Sequence, residues 1–551
     1  MSVSTLQLNP APQTQIASFL QRWSYWLYLS AIVGLCALEA SLGALPSRVY
    51  AHDLFIFLDG AWRVACGQTP NVDFYAGYGV LVWNPVRWGL ALHGYNADGI
   101  GLARAFYTAF IGVWYFLLSR ISPRRVQSML LGFFILMFVS AARPLGEYPT
   151  WISHAAFYNR VGYALLFLII FEQLGVSRFQ AADEAGPRLQ DNAQFWRGVS
   201  TGAALACIVL VRASFLPPGL ALLATGLFLF GIHRTYLIGA LAGTVGTVAI
   251  AITCLHFHPA AFLSETILLV NQRAGLTGDA VNNLVREIGA VGFILAAGWV
   301  VAKAGFMNRL IADKYMVATV MIAGCDIFCR AMNSMDADLP LAAFWSLSGA
   351  MLLVPFTTVA VSERVRRQRT IALVVLCPLA MPILLMDFSS SMYAVYKTLA
   401  TRNHVTLRFD SARLRDWVPQ DWLGADPNFV SRNGRALILA TNDGIHLLQS
   451  LSRQDETVFC LAYDNPFSFA LGRRPAEGGA VWLFVGENFS THRPPPESTL
   501  IGHPDLLMVE RPNAVEQDST KAILSLYPDL LTKEFAQVGS SQYWTLYRRK
   551  S

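Results

Sequence analysis

The chain has 551 residues and a formal net charge of +6, with 54% hydrophobic and 14% charged residues. Soluble globular chains carry about 25% charged residues, so this composition excludes an ordinary soluble protein. Many of the cations lie in short loops between apolar runs, so the positive charge predicts no nucleic-acid partner.

Apolar runs divide the chain into a polar segment at residues 1–23, a region rich in such runs at 24–388, and a segment of soluble composition at 389–551. A spanning helix needs about 20 mostly apolar residues, and a bilayer forces such runs to be helical because it offers backbone groups no water. We predict a polytopic α-helical membrane protein with about eleven transmembrane helices and a C-terminal soluble α/β domain. The predicted spans are residues 24–45, 98–119, 126–143, 161–174, 198–215, 217–232, 235–257, 288–304, 315–331, 341–361 and 370–388.

Loop charges predict the orientation, because cytoplasmic loops carry an excess of Lys and Arg. With residues 1–23 in the cytoplasm, the loops on that side hold most of the loop cations, including Arg120, Arg124, Arg125, Arg178, Arg188, Arg197, Arg234, Arg309, Lys314, Arg364, Arg366, Arg367 and Arg369. An odd number of spans then places residues 389–551 outside.

The first predicted outside loop, residues 46–97, is called the first loop below. Apolar residues recur at helical spacing between Phe55 and Val64, which predicts an amphipathic helix in the membrane interface. Asp53 stands at the start of this helix, where a carboxylate caps free backbone donors and meets the positive end of the helix dipole. The stretch from Gly67 to Val80 is rich in Gly, Pro and Tyr and is typical of a constrained loop.

An Asp after the first span, a helix, then Gly67-x-x-Pro70-x-x-Asp73-Phe74-Tyr75 and Gly77-Tyr78-Gly79 together resemble the first outer loop of the GT-C membrane glycosyltransferases. These enzymes use polyprenyl-phosphate sugars and include the protein mannosyltransferases and the aminoarabinose transferases. The resemblance covers motifs only at about residues 50–85 and elsewhere concerns the general plan of the chain. It implies an enzyme of a bacterial inner membrane with an extracytoplasmic C-terminal domain.

In that family the catalytic acid is an Asp at the membrane end of the first outer loop, and Asp53 is the best positional match. The family often has Asp-Glu or Glu-Asp where this chain has His52-Asp53, which leaves Asp59 as the competing catalytic candidate. Asp73 and Tyr75 are candidate substrate-binding residues, although the position of Asp73 is also typical of a turn. A carboxylate in this loop suits the chemistry, because an acceptor hydroxyl needs a base to take its proton.

The second predicted outside loop combines cations, an acid and aromatic residues that suit a sugar-phosphate pocket; its candidate substrate-binding residues are Arg143, Glu147, His154 and Arg160. Arg is suited to such a pocket because its guanidinium binds phosphate through paired hydrogen bonds. The alternative is that Trp151 and Tyr158 anchor the interface while the arginines reach lipid headgroups.

Two further arginines are candidates for the donor phosphate. Arg212 interrupts an apolar run just before Pro217-Pro218, and a charge inside a span is a functional hypothesis by default. The alternative is that it reaches the membrane surface. Arg273 lies in the loop 259–286, whose apolar stretch 262–270 predicts a second interfacial helix.

In the C-terminal segment, residues 436–440, 458–462, 481–485, 506–509 and 543–547 are predicted strands, with helices at 444–451 and 522–535. The segment shows no nucleophile elbow, phosphate loop or metal-ligand cluster. Whether the chain needs a divalent metal stays open.

The function predicted is transfer of a sugar from a polyprenyl-phosphate donor to an acceptor hydroxyl on a glycan, lipid or protein, with inversion. The alternatives are a transporter or lipid flippase, which favours polar residues and broken helices at the bilayer midplane, and a non-catalytic membrane scaffold. Membrane lipid is the other expected partner.

Overall fold

The computed structural model describes most of the chain. The described residues are 12–120, 125–174, 187–231, 233–272, 276–303, 309–333, 338–353, 363–402, 407–421, 433–511 and 517–550. Helices dominate up to residue 402, and a small sheet follows.

The helices up to residue 402 are α1 (Pro12–Leu42), α2 (Asp53–Ala65), α3 (Val80–Leu92), α4 (Gly99–Ser119), α5 (Arg125–Ser140), α6 (Phe157–Leu174), α7 (Pro187–Val211), α8 (Leu216–Phe230), α9 (Arg234–Leu255), α10 (Pro259–Gln272), α11 (Leu276–Lys303), α12 (Arg309–Asn333), α13 (Pro340–Leu353) and α14 (Glu363–Arg402). Each predicted span overlaps one of them, whereas α2, α3 and α10 lie in predicted loops.

Within the described residues, 7 helices are long and apolar enough to cross a membrane, so the chain is an integral membrane protein. These segments are Trp23–Leu42, Gly99–Ser119, Asn192–Val211, Ala213–Phe230, Arg234–Leu255, Ala312–Met332 and Pro378–Thr401. The count of eleven spans stays a prediction. A break separates α7 from α8: α7 ends at Val211, Arg212 is extended, and Pro217 and Pro218 lie in the first turn of α8.

Helices α7 and α9 pack with their backbones in direct contact. A Cβ added at Gly202 would lie 1.9 Å from the backbone oxygen of Ala240, and one at Gly243 would lie 2.1 Å from that of Val199. Gly198 and Gly239 stand one turn earlier in the two helices and are equally close to the partner backbone. This small-xxx-small spacing is the usual way for two membrane helices to approach closely.

Helix α2 differs from its prediction. Ten of its 13 residues are buried, from Leu54 to Val64 with the exception of Trp62, so the expectation that it lies on the membrane surface is wrong. One reason is that the C-terminal segment covers it: Phe55 packs edge-to-face on Trp417 at 5.2 Å, and the indole of Trp62 donates to the carbonyl of Arg473 at 2.8 Å.

The C-terminal segment is an α/β unit with a four-stranded sheet in the order β1-β2-β4-β3. The strands are β1 (Val458–Leu461), β2 (Leu506–Glu510), β3 (Phe535–Ser540) and β4 (Trp544–Arg549), and the helices are α15 (Gly434–Leu451), α16 (Phe467–Leu471), α17 (Glu497–Leu500) and α18 (Gln517–Leu526). β1 runs parallel to β2, whereas β4 is antiparallel to β2 and to β3.

Two predicted strands are wrong and one strand was not predicted. Residues 436–440 belong to α15, which begins where Asn433 accepts a hydrogen bond from the amide of Ala436; a short apolar run does not distinguish strand from helix. Residues 481–485 bond to loops, since the amide of Val481 donates to the carbonyl of Tyr75. The strand at Phe535–Ser540 falls where helix was expected or nothing was assigned.

The predicted boundary at residue 389 lies inside α14, which continues without interruption to Arg402. The final span and the approach to the C-terminal segment are therefore one helix.

Candidate active site

Asp53 is the first residue of α2, and its carboxylate faces the C-terminal segment. Its Oδ1 accepts a hydrogen bond from the hydroxyl of Tyr463 at 3.2 Å and lies 3.3 Å from Nε2 of His52. The His52 and Tyr463 rings pack edge-to-face at 4.6 Å. Asp53 is therefore held by a residue 410 positions away, just after strand β1.

Arg212 occupies the break between α7 and α8 and faces aromatic groups at the start of α6. Its Nη1 donates to Oδ1 of Asn159 at 3.1 Å and lies 3.5 Å from the hydroxyl of Tyr158, while its guanidinium carbon sits 5.4 Å and 5.7 Å from the ring centroids of Tyr158 and Tyr78. No described carboxylate forms an ion pair with Arg212.

Tyr78 links Arg212 to both the first loop and the C-terminal segment. Its hydroxyl shares a 2.8 Å hydrogen bond with Tyr158, and its ring stacks on Trp482 at 4.8 Å. Gly77 just before it has φ +68°, and a Cβ there would overlap the Trp482 ring. The glycine of the Gly77-Tyr78-Gly79 motif is thus needed for this close approach.

Glu487, from the turn after Trp482, adds a second carboxylate. Burial raises the pKa of Tyr463 well above its usual value, and the charges of Asp53 and Glu487 and the Tyr78 ring raise it further. We call Asp53, Tyr78, Tyr158, Arg212, Tyr463 and Glu487 together the Asp53–Arg212 cluster. It combines two carboxylates, one guanidinium and tyrosine hydroxyls from the first loop, the helical region and the C-terminal segment.

Asp59 lies elsewhere. It has no exposed surface and forms an ion pair with Arg63 one turn later at 2.8 Å. Burial raises the pKa of Asp59, and the Arg63 charge opposes that rise. Arg63 in turn donates to the carbonyls of Ala476 and Gly478 at 3.0 Å. The pair therefore links α2 to the C-terminal segment. A buried carboxylate that is already ion-paired in this way is disfavoured as the catalytic acid.

Arg143 and Arg160 also have structural partners. Arg143 forms ion pairs with Asp338 at 2.8 Å and Asp387 at 2.9 Å, and Arg160 pairs with Asp387 at 3.0 Å. Both arginines are buried, and Arg160 also donates to the carbonyl of Phe138. We call these four charged residues the Arg143–Asp387 network. Carboxylates far away in the chain, Asp338 and Asp387, are ion-paired with the two guanidinium groups, and substrate binding by these arginines stays a prediction.

Glu147 and His154 hold loops together. Glu147 is buried and accepts from the hydroxyl of Tyr50 at 3.0 Å. His154 is buried and its Nε2 accepts from the amide of Leu45 at 2.9 Å, which requires the tautomer with its proton on Nδ1. Burial lowers the pKa of His154 well below its usual value, so it stays neutral.

The remaining first-loop candidates border the C-terminal segment. Asp73 accepts from the amide of Thr69 at 2.7 Å, as expected of a turn residue. Tyr75 is buried, forms a parallel bridge with Ala480, and donates to the carbonyl of Asn488 at 3.0 Å. Arg273 lies outside the described residues.

Sequence reasoning missed Tyr463 and Glu487, because nothing in the short segments around them marks a site. Among the described residues, no group of three or more His, Cys, Asp and Glu side chains is placed to hold a metal ion.

No protein-family model matches the chain, and no curated protein matches it. Among solved structures it is similar to the crystal structure of ArnT from Cupriavidus metallidurans in the apo state. That match covers 95% of this chain and 97% of that chain at 13% sequence identity, with a TM-score of 0.43. These values are too low to establish a common fold or activity.

Proposed function

We propose that the protein is a GT-C-type glycosyltransferase of a bacterial inner membrane, with the Asp53–Arg212 cluster on the extracytoplasmic face. It moves a sugar from a polyprenyl-phosphate donor to the hydroxyl of a glycan, lipid or protein acceptor. One observation carries the proposal: Asp53 is hydrogen-bonded to Tyr463, Arg212, which forms no ion pair with a described carboxylate, packs on Tyr158, and the charges of both Asp53 and Arg212 act on Tyr158. The resemblance of the first loop to GT-C enzymes supports it.

In the proposed step, Asp53 accepts the proton of the acceptor hydroxyl while that oxygen attacks the anomeric carbon of the donor sugar. The bond between the anomeric carbon and the phosphate oxygen breaks, and the polyprenyl phosphate leaves with the electron pair. Displacement from the opposite face inverts the anomeric centre.

Arg212 neutralises the charge that develops on the leaving phosphate. Its hydrogen-bond partners Asn159 and Tyr158 are neutral and no described carboxylate forms an ion pair with it, so its guanidinium can still form charge-assisted hydrogen bonds to a phosphate, although the Glu487 charge acts on it at longer range. Its place between α7 and α8 suits a lipid donor, because Asn192–Val211 and Ala213–Phe230 are both long and apolar enough to span. The phosphate then lies at the boundary while the polyprenyl tail stays in hydrocarbon.

The test replaces Asp53 with Asn in the full chain and measures transfer from a panel of polyprenyl-phosphate sugars in membranes. Asn keeps the size of the side chain and can still cap the helix, but it cannot act as a base, so transfer should fall about 100-fold or more. Asp455→Asn, at an exposed side chain, is the matched control and should keep full transfer.

Asp59→Asn separates the two catalytic candidates. It leaves Arg63 buried without its partner, so the variant should lose stability, and any surviving folded protein should retain transfer. If Asp53→Asn folds and keeps full transfer with every donor the parent protein uses, the base is elsewhere. The transporter and scaffold hypotheses then lead.

A further inference from the structure

A cavity of about 340 Å³ lies where the first loop, α10 and the C-terminal segment meet. Residues 71–75, 261–268 and two short stretches at 478–479 and 498–499 contribute to its wall. Small-molecule sites have volumes of about 300–1,000 Å³, so this space, called the loop cavity below, is large enough for a sugar ring.

The wall of the loop cavity is polar and carries hydrogen-bonding groups that the protein does not use. Its polar side chains are Asn71, Asp73, Ser264, Glu265, Ser498 and Thr499. The hydroxyls of Ser264, Ser498 and Thr499 form no hydrogen bond with any described residue. Asp73 uses only its Oδ2, for the amide of Thr69. No Lys, Arg or His is among the described residues that line the cavity.

This chemistry selects the ligand by charge. Two carboxylates without a neighbouring cation repel a phosphate or carboxylate group, whereas hydroxyl and ammonium donors find acceptors there. We infer that the loop cavity binds a neutral or cationic sugar, and that this sugar belongs to the acceptor. The inference rests on the proposed function and names the acceptor class for it.

The loop cavity shares a wall with the Asp53–Arg212 cluster. Glu265 accepts hydrogen bonds from the adjacent amides of Ala76 and Gly77 on the cavity side. Tyr78, the next residue, belongs to the cluster and contacts Tyr158 there, while its ring stacks on Trp482. One short segment therefore separates an acceptor sugar in the cavity from the groups proposed to activate its hydroxyl.

The experiment measures binding of glucose, glucosamine and glucuronate to the detergent-solubilised full chain by ligand-detected NMR. The three probes share a ring and differ in charge. Glucose and glucosamine should bind, and glucuronate should bind several-fold more weakly. The double variant Ser498→Ala, Thr499→Val removes two unused hydroxyls and should weaken glucose binding about tenfold. Thr491→Val, at an exposed threonine outside the cavity wall, is the matched control and should bind as the parent chain does.

Equal binding of glucuronate and glucose, or unchanged glucose binding in the double variant, would overturn the inference. Asp53→Asn separates it from the proposed function, because this variant should lose transfer and still bind glucose. If the double variant keeps the parent KM for acceptor in an active transferase, the cavity assignment fails and the function stands. If glucose binds as expected but no donor supports transfer, sugar binding in the loop cavity is supported and the proposed glycosyltransferase activity is refuted.

Discussion

Arginines in the described helical region occupy two kinds of surroundings. In the Arg143–Asp387 network, two buried guanidinium groups share one carboxylate from α14 and one from the loop just before α13. In the Asp53–Arg212 cluster, one guanidinium meets an amide, a hydroxyl and two aromatic rings. In the first arrangement each guanidinium is ion-paired with a carboxylate, whereas in the second no described carboxylate forms an ion pair with Arg212 and the charge of Glu487 acts on it only at longer range. The partners of an arginine, more than its place in an apolar run, thus separate a structural cation from a binding one.

Disrupting the Arg143–Asp387 network should have the largest effect on stability. Asp387→Asn leaves two buried arginines with reduced compensation, and removing one partner of a buried ion pair typically costs about 3–5 kcal/mol. We expect a correspondingly lower free energy of unfolding, measured by denaturant titration of the purified chain in detergent. A stability equal to that of the parent chain would mean that the network is not what holds these helices together.

Arg212→Gln should act on binding instead. A hydrogen bond to a charged group is worth about 1.5–3 kcal/mol, so donor affinity should fall roughly tenfold or more. The free energy of unfolding should change less than for Asp387→Asn, because Arg212 forms no ion pair with a described carboxylate. Binding is measured with a polyprenyl-phosphate sugar in nanodiscs, with Arg435→Gln at an exposed position as control. Unchanged donor affinity would place the phosphate elsewhere, with Arg273 the next candidate.

Glu265 extends the comparison of buried charged groups, because this carboxylate is held by backbone amides and not by an arginine. Burial raises its pKa to about 7, and the amide bonds oppose the rise. A raised carboxyl pKa means that the folded state binds the proton more tightly, so its contribution to stability is greatest below the unfolded pKa of about 4.3. That contribution is lost as pH rises through 7.

Transfer should depend on pH in the opposite direction. The ionised carboxylate offers both oxygens to Ala76 and Gly77, and protonation removes one acceptor, worth about 1 kcal/mol. Transfer should therefore rise as pH increases through 7, while stability declines relative to Glu265→Gln. If the parent chain and Glu265→Gln show parallel pH profiles in both transfer and unfolding, the titration of Glu265 does not control either property.

The smallest change is Tyr158→Phe. It removes the hydroxyl shared with Tyr78 and Arg212 and keeps the ring beneath the guanidinium. The loss of one neutral hydrogen bond is worth about 0.5–1.5 kcal/mol, so donor affinity should fall only a few-fold. Tyr163→Phe, in the same helix and away from the cluster, controls for general effects on α6. A drop as large as that of Arg212→Gln would show that the hydroxyl itself binds the donor.

The sequence predicted the membrane class and its apolar segments, because hydropathy reports a property of each segment alone. It also identified Asp53 as a candidate because this residue follows the first span, and Arg212 because it is a charged residue within an apolar run. It failed where the deciding contact comes from far along the chain. The sequence around Arg143, for example, gives no local sign of its ion pair with Asp387, 244 residues later.

The same limit explains the errors in the first loop. The apolar pattern of α2 is equally suited to a bilayer surface and to a protein interior. Only the contact with Trp417 and the carbonyls near residue 476 decides between them. Tyr463 and Glu487 could not be predicted either, since each becomes part of the cluster only when the C-terminal segment docks.

The bridge between Tyr75 and Ala480 also sets an order of events during synthesis. At about 5–20 residues per second, Ala480 leaves the ribosome ~20–80 s after Tyr75. For most of that interval, Trp417 and Phe469, the residues that finally pack on Phe55 and Trp62, have not yet been synthesised. These contacts between the first loop and the C-terminal segment can therefore form only after almost the whole membrane region has been synthesised.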